Sequence, residues 1–297
     1  MTSSVLGNDI KTGERVELHK ASRRQGTYFI AATGVGKSTS LRHLILEDIK
    51  QQIGVCVFDP HGDLIDDLIG SLHKKEDRDR VLLLDTTDQN HVFGINLYQC
   101  DNPTDKELVT NAYERVEHIF ELVWGEDISL MPLVMQGIQN SAYTFIDSSP
   151  IFGCTMLEIP LLFRDNSARS KMVAHLRDPD IRSWWEDYYN DAPQGTKDEL
   201  SRMVVNKITG FTTNRLLRPL IGQSKSTIDF RSVIDSAPGK IVLVKLDRNK
   251  EKMTQLIGAM VIAQLLGAAL SRRDVEKEKR RQFHIYCDEF ETYATDD

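Results

Sequence analysis

Cysteine is scarce, a net positive charge is absent, and no apolar run is long. The four cysteines, Cys56, Cys100, Cys154 and Cys287, form no C-x-x-C pair and no Cys/His spacing. A disulfide framework and a zinc site are therefore not expected; two of the four sit inside apolar strand-like runs and read as reduced, buried thiols. The opening stretch MTSSVLGNDIKTGE has no apolar core and does not read as a signal peptide. The longest apolar run, Gly258 to Leu270 with only Gln264 polar, is too short to span a bilayer, so no membrane span and a cytoplasmic location are expected. A net charge of -7 argues against a surface that coats nucleic acid, though not against a local basic loop or a basic channel lining built by oligomerisation. Internal repeats and low-complexity linkers are absent.

What is there is organised around Thr27 to Ile49, TYFIAATGVGKSTSLRHLILEDI. Tyr28, Phe29, Ile30, Ala31 and Ala32 read as a short buried strand, and Leu41, Leu44, Ile45 and Ile49 fall on one face of a following helix. Between them lies the loop Thr33-Gly34-Val35-Gly36-Lys37-Ser38-Thr39. Strand, glycine loop and helix in this order are the context of a phosphate-binding P-loop, or Walker A motif. The glycines let backbone amides turn inward to cradle phosphate oxygens, helped by the helix dipole. Lys37 would reach the β- and γ-phosphates of ATP, and Ser38 would offer its hydroxyl to Mg2+. The first glycine of the usual G-x-x-x-x-G-K-[ST] pattern is replaced by Ala31.

Before this loop, residues 1–25 read as a β prelude, with Val5-Leu6 and Val16-Glu17-Leu18 flanking the turn Lys11 to Glu14. Arg23-Arg24 are expected to be solvated, the alternative being a nucleotide contact. After it, Gly54 to Asp59 reads as a second buried strand and Leu64, Ile65, Leu68, Ile69 and Leu72 as a helix face. Asp59 ends its strand in what is expected to be a plain turn with Asp63 capping the helix; the alternative is a ligand contact, since ligands sit at this end of open α/β sheets. His61 is assigned no catalytic role. A third strand, Arg80 to Asp85, makes the alternation βαβ and the sheet parallel.

From 103 to 214 the pattern is helical. Thr104-x-x-Glu107, Thr155-x-x-Glu158 and Thr196-x-x-Glu199 have the form of capping boxes, and Asp178-Pro179 that of a cap followed by Pro at the first helical position. One helix is expected from roughly Leu130 to Asp147. Trp184, Trp185, Tyr188 and Tyr189 read as core rather than as a base-stacking stripe. The expected domains are the prelude at 1–25, a first part of the core at 26–102, an inserted helical subdomain at 103–214, and a second part of the core at 215–297. That second part holds a strand from Gly239 to Leu246, a helix from about Lys252 to Arg273 with a basic end, and a last strand, Phe283 to Cys287. Asp288-Glu289 follow at once. A buried strand ending in two carboxylates reads as a Walker B motif, with Asp288 holding Mg2+ and Glu289 polarising the attacking water.

In order, ATGVGKST, VFDPHGDLIDDL, RVLLLDTTD with Gly94-Ile95-Asn96, then Asn206-Lys207, Gly222-Gln223-Ser224 with Ile228-Asp229-Phe230, GKIVLVKLD and FHIYCDEFETYAT resemble the HerA/FtsK group of P-loop ATPases. The likeness is greatest to TraG/TraD-like conjugative coupling proteins with a TraM-recognition region. It implies an α/β, RecA-like parallel sheet with an all-helical insertion, rings that are usually hexameric, and ATP-driven DNA movement. DNA held by its backbone in an oligomer channel, further copies of the chain, and relaxosome or secretion-system proteins are the implied partners, peripheral to a membrane complex or free in the cytoplasm. A HerA-like motor for DNA ends or packaging shares every motif. In this group the strand after Walker B lies between the Walker A and Walker B strands and carries a polar sensor residue, with a trans-acting arginine nearby. A chain ending eight residues after Glu289 is thus expected to leave those two strands unpaired, and a catalytically weak nucleotide-binding fragment is a third reading.

Overall fold

The computed structural model describes residues 3–23, 25–30, 32, 34–100, 102–129 and 131–290. In chain order, the first elements are β1 (Ser3–Asn8), β2 (Arg15–His19), α1 (Lys20–Arg23), α2 (Lys37–Lys50), β3 (Gly54–Asp59), α3 (Asp63–Ser71), α4 (Lys75–Arg78) and β4 (Val81–Asp85). Seven helices follow: α5 (Lys106–Ser129), α6 (Pro132–Phe152), α7 (Ile159–Arg164), α8 (Asn166–Val173), α9 (Pro179–Ser183), α10 (Gln194–Thr212) and α11 (Leu217–Ile221). The chain closes with α12 (Phe230–Asp235), β5 (Ile241–Lys245), α13 (Glu251–Leu270) and β6 (Phe283–Cys287). It divides into two compact units, one of residues up to Asp85 with 232–246 and 277–290, the other of 86–231 with 247–276.

The first unit is built on a parallel sheet of order β4-β5-β3-β6. All six residues of β3 are buried, as an inner strand of a parallel sheet requires. On one face Val55 and Val57, Ile241 and Leu243, and Tyr286 meet Leu41, Leu44, Ile45 and Ile49 of α2 and Leu64, Ile65, Leu68 and Leu72 of the α3 region in a single core. At roughly 1.5–3 kcal/mol for each large apolar side chain removed from water, this core outweighs any single polar contact in the unit. The alternate residues of the inner strands, Cys56, Phe58, Val242 and Val244, are fully buried too. Burial pushes the Cys56 thiol up, and that of Cys287 to about 12, so both stay protonated. β1 and β2 form the expected antiparallel prelude, with the Asp9 carboxylate accepting from the Lys11 and Thr12 amides in its turn.

One expected strand does not form. Residues 27–30 carry no strand pairing, and Tyr28 and Ile30 are 69% and 86% exposed. A strand exists through its hydrogen-bonded ladder, and among the described residues none flanks this segment. Among the described residues β6 pairs only with β3 and is an edge strand, with Ile285 exposed.

The second unit is helical. Asp178 caps α9 with Pro179 in its first turn, and Thr155 with Glu158 forms the expected reciprocal box. The other two boxes are not made. Asp105, one residue past Thr104, accepts from the Glu107 and Leu108 amides and caps α5 instead. Thr196 lies inside α10, which starts behind Pro193. Leu130, the expected start of a helix, lies outside the described residues, and α6 begins at Pro132. Trp184, Trp185 and Tyr189 are buried in a π-helical turn, and the Trp185 indole donates to Thr144 Oγ1 at 3.0 Å. Tyr188 is exposed. Two motif stretches, Gly94 to Gln99 and Gly222 to Thr227, clasp each other. Asn96 Nδ2 donates to the Ser224 and Cys154 carbonyls, the Ser226 amide donates to Gln99 Oε1, and the Thr227 amide donates to the Gly94 carbonyl. The apolar run from Gly258 belongs to a longer helical stretch, Glu251–Asp274, which does have the length and composition to cross a membrane; most of its apolar part is buried, as in a core helix.

Candidate functional site

The glycine loop ends in two residues whose backbone only glycine adopts without strain. Gly34 has φ 82 and Gly36 has φ 96, both in the left-handed region. Gly36 is the N-cap of α2, and no side-chain hydrogen bond caps that helix. Gly34, Val35, Ser38 and Thr39 are exposed, so the positive end of α2 opens outward behind a concave turn. Lys37 is half-buried. Thr33 and Ala31 lie outside the described residues.

β6 delivers the acidic pair to this loop. The Asp288 amide donates to the Phe58 carbonyl at 3.0 Å, which carries the β3 ladder one residue past the strand. Asp288 is buried, while Glu289 turns away in the left-handed region at φ 48. Such a conformation costs a non-glycine residue on the order of 1 kcal/mol and points to a side chain whose direction is fixed. Its Oε1 accepts from Lys37 Nζ at 2.9 Å, and Asp288 Oδ1 lies 3.6 Å from the same nitrogen. Ser38 Oγ donates to Asp288 Oδ2 at 3.5 Å. The four side chains named from the sequence as Lys-Ser and Asp-Glu thus meet across some 250 positions of chain.

The arrangement suits a nucleotide triphosphate and Mg2+. An uncapped helix start behind a positive-φ turn offers donors to phosphate oxygens, and Lys37 adds a cation. A hydroxyl beside a carboxylate supplies two hard oxygen ligands. Mg2+ takes one or two protein oxygens, which Ser38 and Asp288 can supply, and completes its shell with phosphate and water.

Asp59 does not join this group. It is fully buried, and its carboxylate accepts from the His61 amide at 2.9 Å and the Ile65 amide at 3.1 Å. It satisfies the first turn of α3 in place of Asp63, since the N-cap of that helix is Gly62 with no side-chain bond. Asp59→Ala is expected to lower stability by about 1–2 kcal/mol in thermal unfolding and to leave nucleotide affinity unchanged. A normal melt with lost affinity would make it a ligand instead.

Arg23 is not solvated either. Its guanidinium grips the fully buried Asp48 of α2 with both nitrogens, at 2.8 and 2.7 Å, and also donates to Ser4 Oγ at 3.0 Å. Tyr286 donates its hydroxyl to Asp48 Oδ2 at 2.6 Å, and His284 Nδ1 lies 2.6 Å from the same oxygen. Burial alone would push the Asp48 carboxyl up; the hydrogen bonds from His284 and Arg23 outweigh it and hold the group below the ordinary 3.8. Arg24, its neighbour, lies outside the described residues. This cluster was not expected, although the sequence carries a sign of it: Asp48 stands i+4 from Leu44 and i+3 from Ile45, on the stripe of the helix that faces the core.

Comparison with known proteins agrees with this geometry. The sequence pattern of the family described as "Helicase HerA, central domain" matches residues 29–265. A comparison with curated proteins gave no significant match. Among solved structures, the plasmid coupling protein TrwB in complex with the GTP analogue GDPNP superposes with a TM-score of 0.57 at 15% identity, over 89% of this chain and 56% of that one. TrwB in complex with ADP and Mg2+ gives 0.57 at 15% identity over 88% and 56%. The trigonal form of the bacterial conjugative coupling protein TrwBdeltaN70, in complex with sulphate, gives 0.58 at 14% over 89% and 56%. The chain thus spans just over half the length of these structures, with which it shares the fold: a RecA-like parallel sheet. The matched span places the chain in the HerA central-domain family, as a HerA/FtsK-type P-loop ATPase domain, and the solved coupling-protein structures share its fold.

Proposed function

We propose that the chain binds ATP with Mg2+ between the glycine loop and Asp288-Glu289, hydrolyses it, and serves as a motor module for DNA movement in conjugative or mobile-element transfer. The observation that carries this reading is the convergence of Lys37 and Ser38 on Asp288 and Glu289. Thr33, Gly34, Val35, Gly36, Lys37, Ser38 and Thr39 hold the phosphates, their amides as a cradle and Lys37 Nζ on the β- and γ-oxygens. Ser38 and Asp288 hold Mg2+, which neutralises charge on those oxygens when bound. Glu289 accepts the proton of the attacking water. For that it must leave Lys37, which turns to the phosphates as they arrive. Asp288 stays in place, fixed through its backbone to β3.

The remaining assignments follow the family. DNA is held by its backbone in a channel formed by several copies of the chain, a hexameric ring in this reading. Relaxosome or secretion-system proteins are further partners, and the module works in the cytoplasm or against a membrane complex. Residues 103–214 serve as a helical insertion in the ATPase core. A HerA-like DNA-processing or packaging motor is the second reading, favoured by the description of the matching family.

ATP turnover, measured with and without single- and double-stranded DNA, tests the proposal. Turnover is expected to rise with DNA, and DNA affinity to fall by orders of magnitude between about 50 and 200 mM salt as counterions released from phosphates are returned. Nucleotide binding without turnover under any of these conditions would reduce the chain to a nucleotide-binding module. Tight, salt-insensitive DNA binding would exclude a channel of backbone contacts.

A further inference from the structure

We propose that the buried Arg23–Asp48–Tyr286–His284 cluster is a positioning device that sets α2 against β6, and so sets the gap between Ser38 and Asp288. The proposal rests on the nucleotide and Mg2+ assignment above.

The two elements lie side by side in opposite directions and are joined by polar contacts at both ends. Ser38 meets Asp288 at one end, and Asp48 meets Tyr286 and His284 at the other. Ten helical residues from Ser38 to Asp48 rise about 15 Å. Four strand residues from Asp288 to His284 cover about 13 Å. The spans match, and His284, Tyr286 and Asp288 share one face of the strand because side chains alternate. The ring of Tyr286 belongs to the same apolar core cluster as Leu41, Leu44 and Ile45 of α2.

A core of this kind does not need a carboxylate. Exchange of a buried ion pair for apolar groups is often neutral or stabilising, so its retention calls for a reason beyond stability. The sheet gives one. Among the described residues, β6 has a ladder on one side only, and residues 27–30, which lead into the glycine loop, have none. Both segments that bear the motifs therefore lack part of the backbone restraint that a strand inside a sheet has. Asp48 holds both. Arg23 ties the entry to the loop segment, and Tyr286 with His284 ties the strand, all to the same two oxygens. Arg23 Nη2 also donates to the Tyr286 hydroxyl at 2.5 Å, which closes the cluster on itself.

The consequence is specific. The backbone amides of the phosphate cradle lie within one segment, 34–39, and do not depend on where β6 sits. The Mg2+ contacts come from Ser38 on α2 and Asp288 beyond β6, and do. Mant-ATP affinity is therefore to be measured on the full chain with Mg2+ and with EDTA, for the wild type, Tyr286→Phe, Asp48→Asn and Lys37→Ala, with a thermal melt of each. Tyr286→Phe removes one hydroxyl and leaves the Arg23–Asp48 pair intact, so it reports even where Asp48→Asn does not fold. In Tyr286→Phe the gain in affinity from Mg2+ is expected to fall at least tenfold, while affinity in EDTA stays within twofold of wild type. A lowered melt with an undiminished Mg2+ gain would reduce the cluster to a stabilising contact and overturn the proposal, even with Lys37→Ala losing affinity in both buffers. A wild type that binds mant-ATP in neither buffer would overturn the nucleotide assignment itself.

Discussion

Lys37→Ala is expected to weaken ATP binding by a factor of about 100 or more, read as Kd by titration or calorimetry. A charge-assisted hydrogen bond contributes about 1.5–3 kcal/mol, and Lys37 would make at least one to each of two phosphates. The loss has a second source in the structure. Lys37 Nζ stands between the carboxylates of Glu289, at 2.9 Å, and Asp288, at 3.6 Å. Without it Glu289 faces the incoming triphosphate with no lysine between them, and like charges at this range repel. Both effects have the same sign. Unchanged affinity in the variant would mean that the phosphates do not lie in this loop.

Glu289→Gln is expected to separate binding from chemistry. The amide keeps the size of the side chain and an oxygen that accepts from Lys37, but it is no base. Turnover should fall about 100- to 10,000-fold, the usual contribution of a positioned general base. ATP affinity should be kept or slightly improved, because Lys37 no longer has to leave an ion pair. The relevant measurements are single-turnover hydrolysis and equilibrium binding on the same preparation. Equal losses in both would make Glu289 a structural residue, held at φ 48 to satisfy Lys37 and nothing more.

The parts of this site that could be read from the sequence are those in which the chemistry and its local context coincide. Gly34 and Gly36 stand where a strand-like segment gives way to a helix, and Asp288-Glu289 stand at the end of an apolar run. Each motif carries its own frame, and the structure brings the four side chains together. Strand identity was legible for the same reason in β3 and β6, where five or six residues are continuous and apolar or aromatic. Residues 27–30 look no different in composition, but a strand also needs a neighbour, and no local pattern reports one. The capping boxes failed through competition between adjacent residues. Asp105 accepts hydrogen bonds at least as well as Thr104 and stands one position nearer the helix, while Pro193 starts α10 before Thr196 is reached. The Asp48 cluster was hidden by distance. Its members come from positions 4, 23, 48, 284 and 286, and only the charge on a core-facing stripe of α2 marks one of them as unusual.

Lys37 and Glu289 are 252 positions apart, which orders events during synthesis. At about 5–20 residues per second, the glycine loop leaves the ribosome roughly 10–50 s before the carboxylates that face it. In that interval Arg23 and Asp48 are both available to each other, but Tyr286, His284, Asp288 and Glu289 do not yet exist as partners. If the proposed roles hold, the nascent chain presents its phosphate cradle long before it presents a base. On the proposed reading, ATP hydrolysis therefore waits on the docking of one five-residue strand.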